Sequence, residues 1–168
     1  PFSTAFSHTR FLTPHIAKEK GYEWALFVDC DFLFTEDVVK LFSLVDDKFS
    51  VMCRKFAATL STNNKMDGMK QTAYEKKLWS SLCLWNTKAS FPSVQQVNSK
   101  DGAWLHQFKW LGEDRIGEIP PAWNWVKGDD EVPKAIHFTE GGPWLPEYAR
   151  CEYGHLWKSE LEHMENSK

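Results

Sequence analysis

Two aspartates stand one residue apart at the end of an apolar run, in the order Trp24-Ala25-Leu26-Phe27-Val28-Asp29-Cys30-Asp31. An unpaired carboxylate is costly to bury, so a pair at a strand end needs a compensating charge. At the carboxyl end of a strand in an open α/β sheet, two such groups can converge on a ligand crevice. Hard oxygen donors at this spacing suit Mg²⁺ or Mn²⁺ holding a diphosphate. A second candidate lies in Ile136-His137-Phe138-Thr139-Glu140-Gly141-Gly142-Pro143-Trp144. His137 closes another apolar run just ahead of a glycine turn. It is either a ligand or a strand-end histidine that hydrogen-bonds a carbonyl. Imidazole added to two carboxylates makes a borderline donor set that favours Mn²⁺ over Mg²⁺. Gly141 and Gly142 would let backbone N–H groups approach phosphate oxygens closely.

These residues need elements to position them. Residues 7–20 read as a helix interrupted at Pro14, with Phe11, Leu12 and Ile16 on its apolar side and Gly21 as its stop. The short continuous run 25–28 reads as a strand buried on both faces. Thr35 is placed to cap a helix over 36–44, with Glu36 and Asp37 at its positive end. A further buried strand over 49–53 completes a unit of βαβ size. Residues 54–73 form a long polar loop of the kind that carries function. Residues 79–86 read as a strand, 94–97 as a helical turn and 116–119 as a strand stopped by Pro120 and Pro121. Asp101 caps a helix over 103–111 with Trp104, Phe108 and Leu111 on one face. A tryptophan-rich loop follows over 122–126, then a strand over 134–138 and a polar helical segment from Trp144 onward. The pattern is α/β, with a mixed, mostly parallel sheet and flanking helices.

Composition narrows the possibilities. The 168 residues suit a single domain spanning 1–168. The net charge of −3, without a basic block, argues against electrostatically driven nucleic-acid binding. No apolar run approaches the roughly 18–20 residues that span a bilayer. Cys30, Cys53, Cys83 and Cys151 form no CxxC pair, which excludes zinc-knuckle and thioredoxin-type readings. Their mostly apolar settings suit free thiols in a reducing, cytoplasmic setting. Nine tryptophans are unusual for this length; they serve either core packing or the stacking of sugar rings.

The ordered blocks SHTRF, the strand ending in Asp29-Cys30-Asp31, YEKKLWSSLCLWN, IPPAWN and HFTEGGPW resemble family 8-like glycosyltransferases of the GT-A fold, in their bacterial and phage branch. The resemblance runs from about Ser3 to Trp157. It implies a nucleotide-diphospho-sugar transferase fold and a single GT-A-like catalytic domain. It also implies Mn²⁺, with Mg²⁺ as the alternative, bound by one or both of Asp29 and Asp31 together with His137. A nucleotide-sugar, UDP-linked by the resemblance, would be the donor, with Asp29 also touching the ribose. Arg10, Ser80, Ser81, Gly141 and Gly142 match the donor-binding side. His106 and Gln107 match the positions nearest the reacting sugar carbon. Trp123, Asn124, Trp125 and Trp144 would line the acceptor side. Transfer to an acceptor hydroxyl would proceed with retention.

Three positions depart from the family pattern. His106-Gln107 stands where an Asp-Gln pair is usual. Gly142-Pro143-Trp144 lacks the lysine that often precedes Pro-Trp and neutralises phosphate; Lys76, Lys77 or backbone N–H groups would have to substitute. Only 28 residues precede Asp29, so the resemblance leads us to expect a fragment lacking the first βαβ portion of the nucleotide-binding half. Two other classes share some features. A non-catalytic carbohydrate-binding module would use the tryptophans, and a metal-dependent nucleotidyltransferase or phosphodiesterase would use the carboxylates. The sequence leaves the sugar, the acceptor and the oligomeric state open.

Overall fold

A computed structural model describes residues 6–57, 76 and 78–167. The central sheet has strand order β1-β4-β3-β5, with β1 Trp24–Val28, β3 Val51–Cys53, β4 Leu82–Asn86 and β5 Ile116–Glu118. β4 pairs antiparallel with both β1 and β3, and β3 pairs parallel with β5. β1, β3 and β5 therefore run in one direction, and β4 is inserted against them. The expected β1-helix-β3 unit is present, but its two strands flank β4 rather than each other. A second, two-stranded sheet joins β2 Phe32–Phe34 to β6 Ala135–His137, antiparallel.

Period-two alternation sends the strand residues to two cores. Cys83 and Trp85 of β4 meet Val51 and Cys53 of β3 on one face, with Phe11, Val97, Leu105, Phe108 and Ile116. Leu82 and Leu84 join Met52 on the other face, with Leu41, Ile119, Trp123 and Ala135. β4 is buried throughout, as a continuous apolar run covered on both faces should be. β1 differs from the expectation. It is an edge strand of this sheet, and all five of its residues are half-buried.

The chain before β1 folds as α1 Phe6–Thr9, a 3₁₀ turn Arg10–Leu12 and α2 Thr13–Glu19, with Pro14 in the first turn of α2 where no N–H is required. α2 ends in a Schellman motif. Tyr22 N–H donates to Ala17 O at 2.9 Å, Gly21 N–H donates to Lys18 O at 3.0 Å, and Gly21 has φ +80°. Ile16, expected on the apolar side, is 54% exposed, whereas Phe11 and Ala17 are buried.

The helix expected over 36–44 is the single turn α3 Val39–Phe42. Thr35 does not cap it. Its hydroxyl donates to Pro133 O at 2.6 Å, and Asp37 Oδ1 accepts from Val39 N–H at 2.9 Å instead. α4 Val94–Ser99 starts from a Ser93–Gln96 capping box, and α5 Gly102–His106 from an Asp101 cap. α5 is shorter than expected, because the chain turns back through Phe108 at φ +53°. α6 Gly154–Asn166 closes the fold. The predicted 54–73 loop lies mostly outside the described residues. Cys53 and Cys83 are buried free thiols, Cys151 is half-buried and Cys30 is exposed. No helix among the described residues is long and apolar enough to cross a membrane.

Candidate metal centre

β1 delivers Asp29, β2 begins directly after Asp31, and β6 ends at His137. The register pairs Phe32 with His137, so two segments far apart in the chain meet across one short antiparallel ladder. Phe138 N–H donates to Asp31 O at 3.0 Å and holds the junction. Asp29, Asp31 and His137 each present one ligand atom, all within 4.8 Å of one another. An ion with bonds of about 2.1 Å holds its ligands at most about 4.2 Å apart, so a small inward movement would bring all three atoms to bonding distance.

The polar partners favour a cation here. Asp31 Oδ1 is buried without a hydrogen-bond donor, and His137 Nε2 lies 3.3 Å from it. The other ring nitrogen, Nδ1, lies 3.0 Å from Asn124 Oδ1. Phe32 stacks on the imidazole with ring centroids 4.3 Å apart and fixes its plane. Burial lifts the Asp29 carboxyl above the ordinary carboxylate range; the Arg10 charge opposes the lift, and Asp31 adds to it. Two carboxylates and an imidazole form a donor set that Mn²⁺ fits.

Arg10 stands behind Asp29. Its guanidinium is buried, with Nη2 at 2.8 Å from Asp29 Oδ1, and Nη1 donates to Ser80 O at 2.8 Å. Nη1 also donates to Ser80 Oγ at 3.4 Å, and that hydroxyl oxygen lies 2.6 Å from His106 Nδ1. Arg10, Asp29, Ser80 and His106 are thus one connected polar network. Ser81 belongs to another. Its backbone carbonyl accepts from Asp29 N–H at 2.8 Å, and its hydroxyl accepts from Asn124 Nδ2 at 2.9 Å. Gln107 ends α5, and its carbonyl accepts from Lys76 Nζ at 3.3 Å.

Several expectations require correction. Trp123 and Trp125 are 1% and 2% exposed, so they cannot form an acceptor wall. Trp123 packs in the core beneath β4, and Trp125 meets Tyr153 edge-on while its indole N–H donates to Asp129 O at 3.3 Å. Asn124 is fully buried and serves His137 rather than an acceptor. Trp144 is 40% exposed and packs against the Phe138 and Trp157 rings, with centroids 5.7 and 5.5 Å away. Gly141 N–H is engaged in a turn, donating to Phe138 O at 3.0 Å. A Cβ on Gly141 would fall 2.5 Å from the Tyr148 ring, and one on Gly142 2.0 Å from the Trp144 ring. Close aromatic approach therefore accounts for both glycines. Lys76, a candidate for the missing phosphate lysine, is ion-paired with Glu113; Lys77 lies outside the described residues.

Sequence reasoning missed the support around Asn124. Arg54 Nη1 donates to Asn124 O at 2.8 Å, and its guanidinium grips Asp129 with both terminal nitrogens. Asp129 Oδ2 also accepts from Val126 N–H at 2.8 Å. An arginine 75 positions from its carboxylate carries no local sequence signal.

No family model matches the chain. The WbbM bifunctional glycosyltransferase superposes with a TM-score of 0.52 at 19% identity, over 88% of this chain and 34% of that one. This chain therefore spans about a third of the WbbM chain, and the likeness shows a glycosyltransferase fold. GlyE of Streptococcus pneumoniae aligns over 97% of this chain and 47% of its own at 13% identity, with a TM-score of 0.48. Protein CDI of Arabidopsis thaliana is 44% identical over 179 aligned positions, which cover 99% of this chain and 68% of that protein. With that identity over nearly its whole length, the chain belongs to the family of Protein CDI.

Proposed function

We propose that the chain is a catalytic domain of a metal-dependent glycosyltransferase of the family 8-like group, moving a sugar from a nucleotide-sugar to an acceptor hydroxyl. The observation that carries this reading is the convergence of Asp29, Asp31 and His137 at the end of β1 in a glycosyltransferase fold. Asp29 and Asp31 would hold Mn²⁺ with His137, and Mg²⁺ is the alternative. When bound, the ion would supply Lewis-acid stabilisation of the departing nucleoside diphosphate. Arg10 keeps Asp29 aimed and partly neutralised. Ser80 and His106 line the same network on the donor side, with Gln107 one residue further on. Trp144 supplies an exposed aromatic face for a sugar. A protein nucleophile is not needed for retention if the leaving phosphate accepts the acceptor's proton during front-face attack.

A UDP-linked donor and a cytoplasmic location belong to the same proposal; free buried thiols at Cys53 and Cys83 fit a reducing compartment. The curated relative is a plant protein, so support for a bacterial or phage branch rests on the sequence blocks alone. The burial of Trp123 and Trp125 weakens the carbohydrate-binding-module reading, because stacking platforms must be exposed.

The test is incubation with a panel of nucleotide-sugars, Mn²⁺ and simple sugar acceptors, with products read by mass spectrometry. Cleavage at the anomeric C–O bond that is lost in Asp31→Ala supports the proposal. Cleavage between phosphates would move the protein to the phosphodiesterase or nucleotidyltransferase class.

A further inference from the structure

We propose that Asn124 and Ser81 are positioning residues that hold His137 as the Nδ1–H tautomer, leaving Nε2 bare for a divalent cation before any ion arrives. The inference rests on the metal reading of the site and adds a cause for the ligand's readiness.

The hydrogen bonds assign themselves in one direction. Ser81 Oγ donates its single proton to Leu78 O at 2.6 Å. Towards Asn124 the same oxygen can then only accept, and Asn124 Nδ2 lies 2.9 Å from it. That contact fixes which end of the amide is nitrogen. Asn124 Oδ1 is left facing His137 Nδ1 at 3.0 Å. A carbonyl oxygen only accepts, so Nδ1 must carry the proton. In the neutral ring this places the lone pair at Nε2, 3.3 Å from Asp31 Oδ1, which has no donor of its own. Two acceptors facing each other in a buried site are an arrangement that a cation resolves.

Little in this relay can relax. Ser81, Asn124 and His137 are all buried. The Asn124 backbone is clamped from outside by Arg54, whose Nη1 donates to its carbonyl at 2.8 Å. The 3₁₀ turn Pro121–Asn124 begins at a proline, and Phe32 stacks on the far side of the imidazole. The relay begins at the turn preceding β4 and ends at the tip of β6. It therefore ties the ligand on the small sheet to the strand that anchors the large one.

The test has two arms on the full chain. In metal-free, ¹⁵N-histidine-labelled protein, long-range ¹H–¹⁵N spectra should show His137 protonated at Nδ1 and bare at Nε2. Mn²⁺ titration followed by electron paramagnetic resonance should then show affinity falling about 10–100-fold in Asn124→Ala, the usual effect of losing a partner that orients a metal-bound histidine. Asn124→Asp keeps an acceptor toward Nδ1 and should bind within a few-fold of wild type. Ser81→Ala frees the amide to turn and should mix the two tautomers. If Asn124→Ala does not fold, the wild-type spectrum and the other two variants decide. A wild-type ring carrying its proton at Nε2 overturns the proposal, as does a folded Asn124→Ala with wild-type affinity while Asp31→Ala loses Mn²⁺. A wild type that binds no Mn²⁺, with Asp31→Ala unchanged, overturns the metal reading and this proposal with it.

Discussion

Replacing Arg10 with methionine keeps the length of the side chain and removes its charge. In the metal-free protein, Asp29 would lose the guanidinium 2.8 Å away, and the Ser80 carbonyl would lose its donor. Breaking a buried ion pair from one side costs about 3–5 kcal/mol. Asp29 keeps some access to solvent, and burial has already raised its carboxyl, so it can take up a proton and limit the loss. The lower end, about 3 kcal/mol, is therefore expected. At about 2–4 °C per kcal/mol for a chain of this size, the melting temperature should fall by about 6–12 °C. With Mn²⁺ the sign reverses. Arg10 carries the same charge as the ion and shares Asp29 with it, so the variant should bind Mn²⁺ at least about tenfold more tightly, a gain of about 1.4 kcal/mol. Thermal melts of both proteins over a Mn²⁺ series would show the gap closing as the ion saturates. An unchanged metal-free melting temperature, or equal Mn²⁺ shifts in the two proteins, would refute the reasoning.

Other outcomes follow from the same packing. Trp123→Ala should cost about 3–5 kcal/mol in denaturant unfolding, whereas the partly exposed Trp144, packed on Phe138 and Trp157, should cost less when replaced by alanine and alter acceptor use as well. Gly142→Ala should displace the Trp144 ring, which a Cβ would approach to 2.0 Å; a changed tryptophan emission spectrum would report it. At Asp129, burial raises the carboxyl, but the Arg54 hydrogen bonds, the Val126 N–H and the Arg54 charge outweigh it and hold it below the ordinary range. Its contribution to stability is therefore complete above the unfolded value of about 3.9 and is lost as pH falls through the lower native value. The stability gap between wild type and Asp129→Asn should close over that acid window. Burial pushes the Cys53 thiol up to about 12 and the Cys83 thiol well above its usual value, so a thiol reagent should label Cys30 first and these two only on unfolding.

Much of the sheet was legible because burial leaves a local imprint. Residues 79–86 read as a strand; 82–86 form it, buried on both faces, while 79–81 fold as a 3₁₀ turn ahead of it. Asp29 and Asp31 fall at a strand end, as does His137, and each position follows from an apolar run that stops. Their meeting is not local. It depends on the β2–β6 ladder, and β2 is only three residues long. The same limit hid the insertion of β4 between β1 and β3, since strand order depends on pairings far apart in the chain. Residues 122–126 read as a tryptophan-rich loop, and the resemblance puts Trp123, Asn124 and Trp125 on the acceptor side. Tertiary packing instead folds Trp123 and Asn124 into a buried 3₁₀ turn, and Trp125, extended after it, bridges to Ile136 of β6. Asn124 could not be assigned from sequence, because its role is defined by Ser81 and His137, 43 and 13 positions away.

Calorimetric binding of UDP, with and without Mn²⁺, tests the central claim most directly. A site built from Asp29, Asp31 and His137 predicts that UDP binds wild type only when Mn²⁺ is present. It also predicts that Asp31→Ala and His137→Ala lose this binding while keeping the melting profile of a folded protein. UDP binding of equal strength without the ion, or undiminished in Asp31→Ala, would contradict the account.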